Sequence, residues 1–180
     1  REAELRDAQR VASVGSWEWI VDTGTFTWSE ELYHIAGGNP KEAPPNYKEL
    51  PKILTPQSWL RLRPAMDLAL KIGEPYELDL EMVRPDGSVR WVAARGEAVR
   101  DPNKHITKIR GTIQDITERK RAAEEIQDLY DHAPCGYDSI DENGVFLRIN
   151  ETEVSWLGYT HAELVGKMRF QDLLTNESKR

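Results

Sequence analysis

The residues of this chain that most readily suggest metal, nucleophilic or phosphate chemistry are four histidines, one cysteine and a pair of adjacent glycines. None of the histidines has a second one at the spacing of a metal site: His34, His105, His132 and His161. The pair Gly37-Gly38 lacks the following Lys and Ser or Thr of a phosphate-binding loop. Because no nucleophile–base pair or metal cluster can be assembled, we expect no enzymatic activity in this chain.

Hydrogen-bonding side chains lie at the point in the sequence where a predicted strand is followed directly by a predicted helix. Residues 118–125 are nearly all strong helix formers, and no Gly or Pro separates them from the strand. Asp115 and Thr117 are residue types that cap the amides at a helix start. Since the helix must absorb any displacement of such a strand, we predict that Asp115, Ile116 and Thr117 transmit a signal, with ordinary capping as the alternative. The strand itself is predicted from its β-branched residues: Ile106, Thr107, Ile109, Thr112 and Ile113.

Periodic hydrophobic patterns predict the elements that hold this junction in place. An amphipathic helix opens the chain in residues 1–14, followed by strands in residues 17–21 and 25–28. A helix between Ser29 and Gly37 and a longer helix in residues 55–72 come next, with a Pro-rich stretch containing a short helical loop between them. Strands in residues 76–82, 89–93 and 106–116 complete the order β-β-α-α-β-β-β. This order predicts an α+β fold in which the helices lie on an antiparallel sheet.

The same patterns indicate which apolar side chains face the interior. The long helix is expected to bury Trp59 or Leu60, together with Leu62, Met66, Leu70 and Ile72. A small-molecule pocket between sheet and helices is one interpretation, and an ordinary core is the alternative. The candidate lining residues, by pattern alone, are Tyr33, Leu60, Met66, Leu80 and Trp91.

Composition excludes several classes of partner. The chain has 180 residues, 24 Lys and Arg against 31 Asp and Glu, and a net charge of -7. Nucleic acid is not an expected partner, because phosphate binding needs a clustered basic face and the longest basic run is residues 119–121. No apolar stretch approaches the roughly 20 residues that span a bilayer. The single Cys135 excludes an internal disulfide and fits a reducing compartment, so we expect a cytoplasmic fragment of a longer protein.

The chain also repeats part of itself. Residues 22–26 have a counterpart in residues 142–146, and Gly37 after the first short helix has a counterpart in Gly158. Such self-similarity indicates tandem copies of one unit, the second of which stops at Arg180 before its long helix and last three strands. We therefore predict a truncated second copy in residues 134–180.

These features resemble a PAS domain with its C-terminal PAC segment. The resemblance is carried by residues 84–92, by Gly111 and by residues 115–120, and residues 9–19 are similar to the entry of the same subgroup. It covers residues 1 to about 125 and implies a five-stranded antiparallel sheet with helices on one face, flanked by signalling helices. The predicted division is a helix in 1–14, the PAS/PAC domain in 15–117, a linker helix in 118–133 and a second, partial PAS domain in 134–180. That second domain resembles the start of a PAS domain through Ala133-Pro134, Gly136, Asn143-Gly144, Asn150 and residues 157–159.

The resemblance implies a sensory module that regulates an output domain in a multidomain signalling protein. The parent protein that it favours most is a sensor histidine kinase of a two-component system. Alternatives are a diguanylate cyclase or phosphodiesterase and a dimerisation scaffold that binds no ligand. Haem-binding relatives carry their His ligand on the long helix, where this chain has none, and His34 lies elsewhere. Flavin-binding relatives carry a reactive Cys on a helix, whereas Cys135 lies in the linker region. The ligand is therefore left open, with haem and covalently reactive flavin disfavoured.

An apolar stripe follows the linker helix. Ala122, Ile126, Leu129 and Ala133 are spaced four, three and four residues apart, as at the a and d positions of a coiled coil. One interpretation is a parallel signalling helix that pairs with its twin, which gives a homodimer through the flanking helices. The alternative is a helix that packs on its own domain.

Overall fold

The computed structural model describes residues 10–174, which form two compact units whose boundary falls between Lys120 and Arg121. Residues 1–9, which carry most of the predicted N-terminal helix, lie outside the described part. Arg10 and Val11 are helical, and Val14 already belongs to the first strand, one residue before the predicted start of the domain. The predicted boundaries at 15–117, 118–133 and 134–180 stay predictions.

The first unit contains the elements that the sequence predicts, in the predicted order. They are β1 (Val14–Ile20), β2 (Thr25–Trp28), α1 (Glu30–Ala36), a 3-10 turn (Leu50–Lys52), α2 (Pro56–Ile72), β3 (Tyr76–Val83), β4 (Val89–Arg100) and β5 (Ile106–Asp115). Local capping explains where both helices begin. Ser29 Oγ accepts the Leu32 N–H at 3.3 Å, and Thr55 Oγ1 accepts the Ser58 N–H at 3.4 Å.

The five strands form one antiparallel sheet in the order β2-β1-β5-β4-β3. Strand β5 lies at its centre and pairs with both β1 and β4, so that Ile113 lies opposite Gly15 on one side and Ala94 on the other. Helices α1 and α2 pack on one face and enclose the core, which confirms the predicted α+β PAS-like fold. The fully buried core side chains of this unit include Leu32, Ala69, Leu80, Val92 and Ile109.

Gly111 is required by the close approach of strands at the sheet centre. A Cβ at this position would collide with the Arg95 carbonyl and would lie 2.8 Å from the indole ring of Trp17. The absence of a side chain at Gly111 therefore lets the Trp17 ring and the Arg95 backbone approach β5 closely.

Three predictions about side-chain direction are wrong. Leu60 and Ile72 are 71% and 59% exposed, because the buried stripe of α2 follows Ser58, Leu62, Met66 and Ala69 instead. Of the two alternatives Trp59 and Leu60, Trp59 is the one that packs against the core. Trp91 does not face the helices: Val92 and Ala94 do, and successive residues of a strand point to opposite faces.

Helix α3 (Thr117–Asp131) begins in the first unit and ends in the second. The second unit continues with β6 (Asp138–Ile140), β7 (Phe146–Ile149), α4 (Glu151–Leu157), α5 (His161–Leu164) and a 3-10 turn (Phe170–Leu173). Strands β6 and β7 form a two-stranded antiparallel sheet. A small core of its own holds this unit together: Phe146, Ile149, Val154 and Leu164. No helix in residues 10–174 combines the length and the apolar character that crossing a bilayer requires.

Candidate functional site

The predicted transmission residues lie together where β5 ends and α3 begins. Asp115 Oδ1 accepts the Thr117 N–H at 2.9 Å, and the Asp115 N–H donates to the Ser13 carbonyl at 3.0 Å. Arg90 Nη1 lies 3.8 Å from the other carboxylate oxygen. Asp115 therefore caps the first turn of the helix, as its residue type suggested, and connects that turn to strand β4 as well.

Ile116 carries the sheet one residue past β5. Its N–H donates to the Trp91 carbonyl at 2.8 Å, and its side chain is only 4% exposed. Because the next residue is already helical, no flexible segment separates the sheet from α3.

Thr117 binds strand β4 through its side chain instead of capping the helix in the way its residue type suggested. Its Oγ1 accepts the Trp91 N–H at 3.0 Å and lies 3.4 Å from the Trp91 carbonyl, to which it donates. The residue is 3% exposed. Ile116 and Thr117 together therefore engage both backbone groups of Trp91, and the helix start is hydrogen-bonded to β4, an internal strand of the sheet.

Lys120 adds a contact that the sequence did not reveal. Its Nζ lies 2.7 Å from Asp79 Oδ2 and 4.9 Å from the centre of the Trp91 ring. A cation over an aromatic ring contributes about 0.5–1 kcal/mol at an exposed site, and an exposed ion pair contributes a similar amount. The first turn of α3 is thus held by side chains as well as by backbone hydrogen bonds on the face of the sheet opposite to α1 and α2. Only the alternation of β3 and β4, which places Asp79 and Trp91 on the same face, could have indicated this contact.

An apolar cavity of about 60 Å³ lies between the sheet and the helices. Of the predicted lining residues, Met66 and Leu80 do line it, whereas Leu60 is exposed and Trp91 faces the other side. Tyr33 is directed elsewhere and donates its hydroxyl to the Glu42 carbonyl at 2.7 Å. The complete lining is Trp17, Phe26, Trp28, Leu32, Leu50, Ile53, Leu54, Leu62, Met66, Tyr76, Leu80, Met82, Val92, Ala94 and Ile113.

Two of the residues that line this cavity carry a polar group, although the wall itself is almost wholly apolar. Trp17 is 8% exposed, and its Nε1 has no hydrogen-bond partner within residues 10–174. Burial also raises the pKa of the Tyr76 hydroxyl well above its ordinary value. An apolar wall of this kind suits a small, neutral and apolar molecule.

The size and the lining of the cavity do not suit haem or flavin in this conformation. Pockets for drug-sized ligands measure about 300–1,000 Å³, several times the volume found here, and no His or Cys is among its described lining residues. His34 is an exposed residue of α1 whose Nδ1 lies 3.6 Å from Glu31. Within residues 10–174, no three His, Cys, Asp or Glu side chains are grouped so as to hold a metal ion.

A larger, open depression of about 820 Å³ lies over the sheet and is bordered by charged side chains. Arg95 pairs with Glu77 at 2.7 Å and Arg110 with Glu97 at 2.8 Å, each across neighbouring strands. Because these charges satisfy one another in solvent, the depression is a surface of paired ions rather than an enclosed binding site.

Comparisons with known proteins agree with this geometry. The sequence profile of the family described as PAS fold matches residues 25–113. A probable diguanylate cyclase, DgcE, of Escherichia coli K12 is 23% identical over 169 residues, which cover 88% of this chain and 15% of that protein. The chain thus spans less than a sixth of the length of this relative.

Solved structures with the same fold include modules from two kinds of signalling protein. A sensory box histidine kinase/response regulator from Burkholderia thailandensis is 26% identical, with a TM-score of 0.57 over 69% of this chain and 93% of the other. The N-terminal domain of a diguanylate cyclase with a PAS/PAC sensor from Marinobacter aquaeolei is 16% identical, with a TM-score of 0.55 over 59% of this chain and 98% of the other, and shows the fold alone. The first unit of this chain belongs to the PAS family and is a sensory module of a signalling protein.

Proposed function

We propose that the first unit passes a ligand- or partner-induced change from its sheet to an output domain through Asp115, Ile116, Thr117 and helix α3. The observation that carries the proposal is the engagement of both backbone groups of Trp91 by Ile116 and Thr117. A displacement of strand β4 at this point changes the first turn of the helix directly.

The cavity lies one residue away from this junction. Val92 lines the cavity and is fully buried, and it follows Trp91 in the same strand. On the neighbouring strand, Ile113 lines the cavity two residues before Asp115. A molecule that enters or leaves the cavity must shift these two side chains, since protein interiors are close-packed. The short covalent path from Val92 to Trp91 then carries the shift to Ile116 and Thr117.

We infer that the output is the kinase of a two-component system. The similarity at 26% identity to a module of a sensory box histidine kinase supports this choice. A diguanylate cyclase or phosphodiesterase is the second candidate, and the alignment over 169 residues with a probable diguanylate cyclase supports it. The intact parent protein distinguishes the two when it is incubated separately with ATP and with GTP. Autophosphorylation supports the kinase, and formation of a cyclic dinucleotide supports the cyclase.

We further propose a homodimer in which α3 pairs with the same helix of a second copy. Ile126 and Leu129 are 68% and 67% exposed and lie on one stripe of the helix. Two large apolar side chains at this spacing suit a parallel partner with the same stripe. A dimer that binds no ligand, and acts as a scaffold only, is the remaining alternative. It predicts that no small molecule copurifies with the protein.

The second unit is proposed to be the start of a second PAS domain. Its order β6-β7-α4 repeats β1-β2-α1, and both helices have seven residues and end at a glycine with positive φ. The helix-capping residues also make the same contacts. Ser29 Oγ accepts the Ser16 N–H, as Asn150 Oδ1 accepts the Tyr137 N–H.

Replacement of Asp115 by alanine in the intact parent protein tests the transmission proposal. Loss of a cap costs on the order of 1 kcal/mol, which a domain of this size survives. We expect a nearly unchanged melting temperature and an output that no longer responds to the stimulus. Asp101→Ala is the matched control, because Asp101 also accepts a local backbone N–H, that of His105 at 2.8 Å, but lies in the turn between β4 and β5. Normal switching in a folded Asp115→Ala protein would reduce Asp115 to a simple cap and refute the proposed role.

A further inference from the structure

The C-terminal end of helix α3 is not capped by a glycine. Helices α1, α2 and α4 each end at a glycine in the left-handed conformation: Gly37, Gly73 and Gly158. Helix α3 ends at Asp131 and is followed by His132, Ala133 and Pro134. The last four carbonyls of any helix need partners from outside the helix. The Asp128 carbonyl accepts the His132 N–H at 2.9 Å. The carbonyls of the last two residues of α3 have partners from side chains of helix α4 and its cap.

Asn150 supplies the first of these partners. Its Nδ2 donates to the Tyr130 carbonyl at 2.9 Å and to the Cys135 carbonyl at 3.0 Å. Its Oδ1 accepts the N–H groups of Tyr137 at 2.9 Å and Glu153 at 3.1 Å. The residue is 0% exposed, so that one buried side chain satisfies four backbone groups and has a single suitable orientation.

Thr152 supplies the second partner. Its Oγ1 lies 3.2 Å from the Asp131 carbonyl and 2.8 Å from the Ala133 carbonyl. A hydroxyl has one proton, which these two carbonyls share. Asn150 and Thr152 thus bind the helix end at the carbonyls of its last two residues and at the carbonyl of Ala133 immediately beyond it.

The first unit shows that a helix cap of this type does not need the amide donors. Ser29 occupies the position that corresponds to Asn150 and accepts the Ser16 and Leu32 N–H groups at 2.9 and 3.3 Å. Asparagine makes the same two acceptor contacts and adds two donors, both of which are directed to the end of α3 and the loop after it. The additional donors therefore serve the incoming helix and not the cap of α4.

We propose that Asn150, with Thr152, is a positioning residue that fixes the end of helix α3 in the second unit. This inference rests on the proposed function in one respect, since the movement that it would pass on is the one that starts at Thr117. Rotation of the helix end would separate the two donors of Asn150 from their carbonyls and leave buried polar groups unpaired. The end of helix α3 and the start of helix α4 consequently move together within the second unit.

Distances between two spin labels within the second unit test this proposal. The labels are placed on Glu124→Cys in α3 and on Ala162→Cys in α5, both exposed, in the full chain with Cys135→Ser. Asn150→Ser keeps the cap that Ser29 provides in the first unit but removes both donors, and Thr152→Val removes the hydroxyl with little change of shape. Ser155→Ala is the matched control, because its hydroxyl donates within α4 to the Thr152 carbonyl at 2.7 Å.

We expect a narrow distance distribution in the parent chain and in Ser155→Ala, and at least a doubling of its width in Asn150→Ser combined with Thr152→Val. Amides of residues 129–132 are expected to exchange about tenfold faster in each single variant, since each lost hydrogen bond contributes roughly this factor. The Tyr137 and Glu153 amides stay protected in Asn150→Ser, which shows that α4 remains folded and capped. An unchanged width in the combined variant, or equal loss of protection throughout residues 137–165, would overturn the proposal. Because no stimulus or output is involved, this result is independent of the Asp115→Ala experiment, and either proposal can fail alone.

Discussion

The contact between Thr117 and Trp91 gives the sharpest prediction about stability. Thr117→Val keeps the shape of the side chain but removes the oxygen that accepts the Trp91 N–H at 3.0 Å. The site is buried, with Thr117 only 3% exposed, so water cannot replace the lost acceptor without opening the junction. A buried donor without a partner costs about 1–3 kcal/mol.

A loss of about 2 kcal/mol lowers the melting temperature of a domain of roughly 100 residues by about 8 °C or more. The same loss speeds the exchange of the Trp91 amide roughly 30-fold if that amide exchanges through opening of the junction. Tryptophan fluorescence follows the first unit well, because five of the six tryptophans precede residue 100. Nuclear magnetic resonance measures the single amide.

Thr112→Val is the control for this experiment. The same substitution is then made on strand β5, five residues before Thr117, at a half-buried residue whose side chain has no hydrogen bond within residues 10–174. Surface changes of this kind are usually within about 0.5 kcal/mol. If Thr117→Val and Thr112→Val melt within 2 °C of each other, with the Trp91 amide equally protected, the side chain of Thr117 does not hold the helix to the sheet.

Three further predictions concern assembly, cofactor and pH. Ile126→Glu is expected to convert a dimer to a monomer in sedimentation experiments, while Glu125→Gln on the neighbouring position leaves the dimer intact; a parent chain that is monomeric at high concentration contradicts the helix pairing. Protein purified from cells replete with cofactors is expected to be colourless, because the cavity of about 60 Å³ is too small for haem or flavin; a Soret band or a flavin spectrum would show that the cavity opens. Burial and the neighbouring Asp138 raise the pKa of Glu153, so ionisation of this carboxyl at neutral pH opposes folding. Glu153→Gln should therefore stabilise the second unit at pH 7, with an advantage that disappears below the ordinary glutamate pKa of about 4.3; an equal gain at pH 3.5 and pH 7 would exclude the charge as its cause.

Much of the fold could be predicted because each element carries its own local signal. Strand β3 alternates so regularly that Leu80 and Met82 could be assigned to the interior, where they lie. The strand–helix junction was visible for the same reason, since β-branched residues give way to helix formers at Asp115. Caps and turn glycines marked most element ends.

Side-chain direction was harder to predict where both faces of an element are apolar. In β4, the sequence allows two apolar pairs to face the interior: Trp91 with Ala93, or Val92 with Ala94. Only the packing against α2 determines that the second pair is buried. The interior stripe of α2 was misjudged for a similar reason, because Leu60 extends an apolar pattern that the helix does not bury. The contact of Lys120 with Asp79 and Trp91 depends on the direction in which α3 leaves the sheet, and a sequence pattern holds no information about that direction.

Under the proposed function, the contacts at Trp91 separate two properties that evolution can change independently. In that proposal, selectivity for a ligand depends on the side chains that line the cavity, such as Val92 and Ala94. Coupling to the helix depends on the N–H and C=O of residue 91, which every amino acid except proline provides. Mutations can therefore accumulate in the cavity wall and adapt the module to new stimuli, while an unchanged backbone connection keeps the existing response in place.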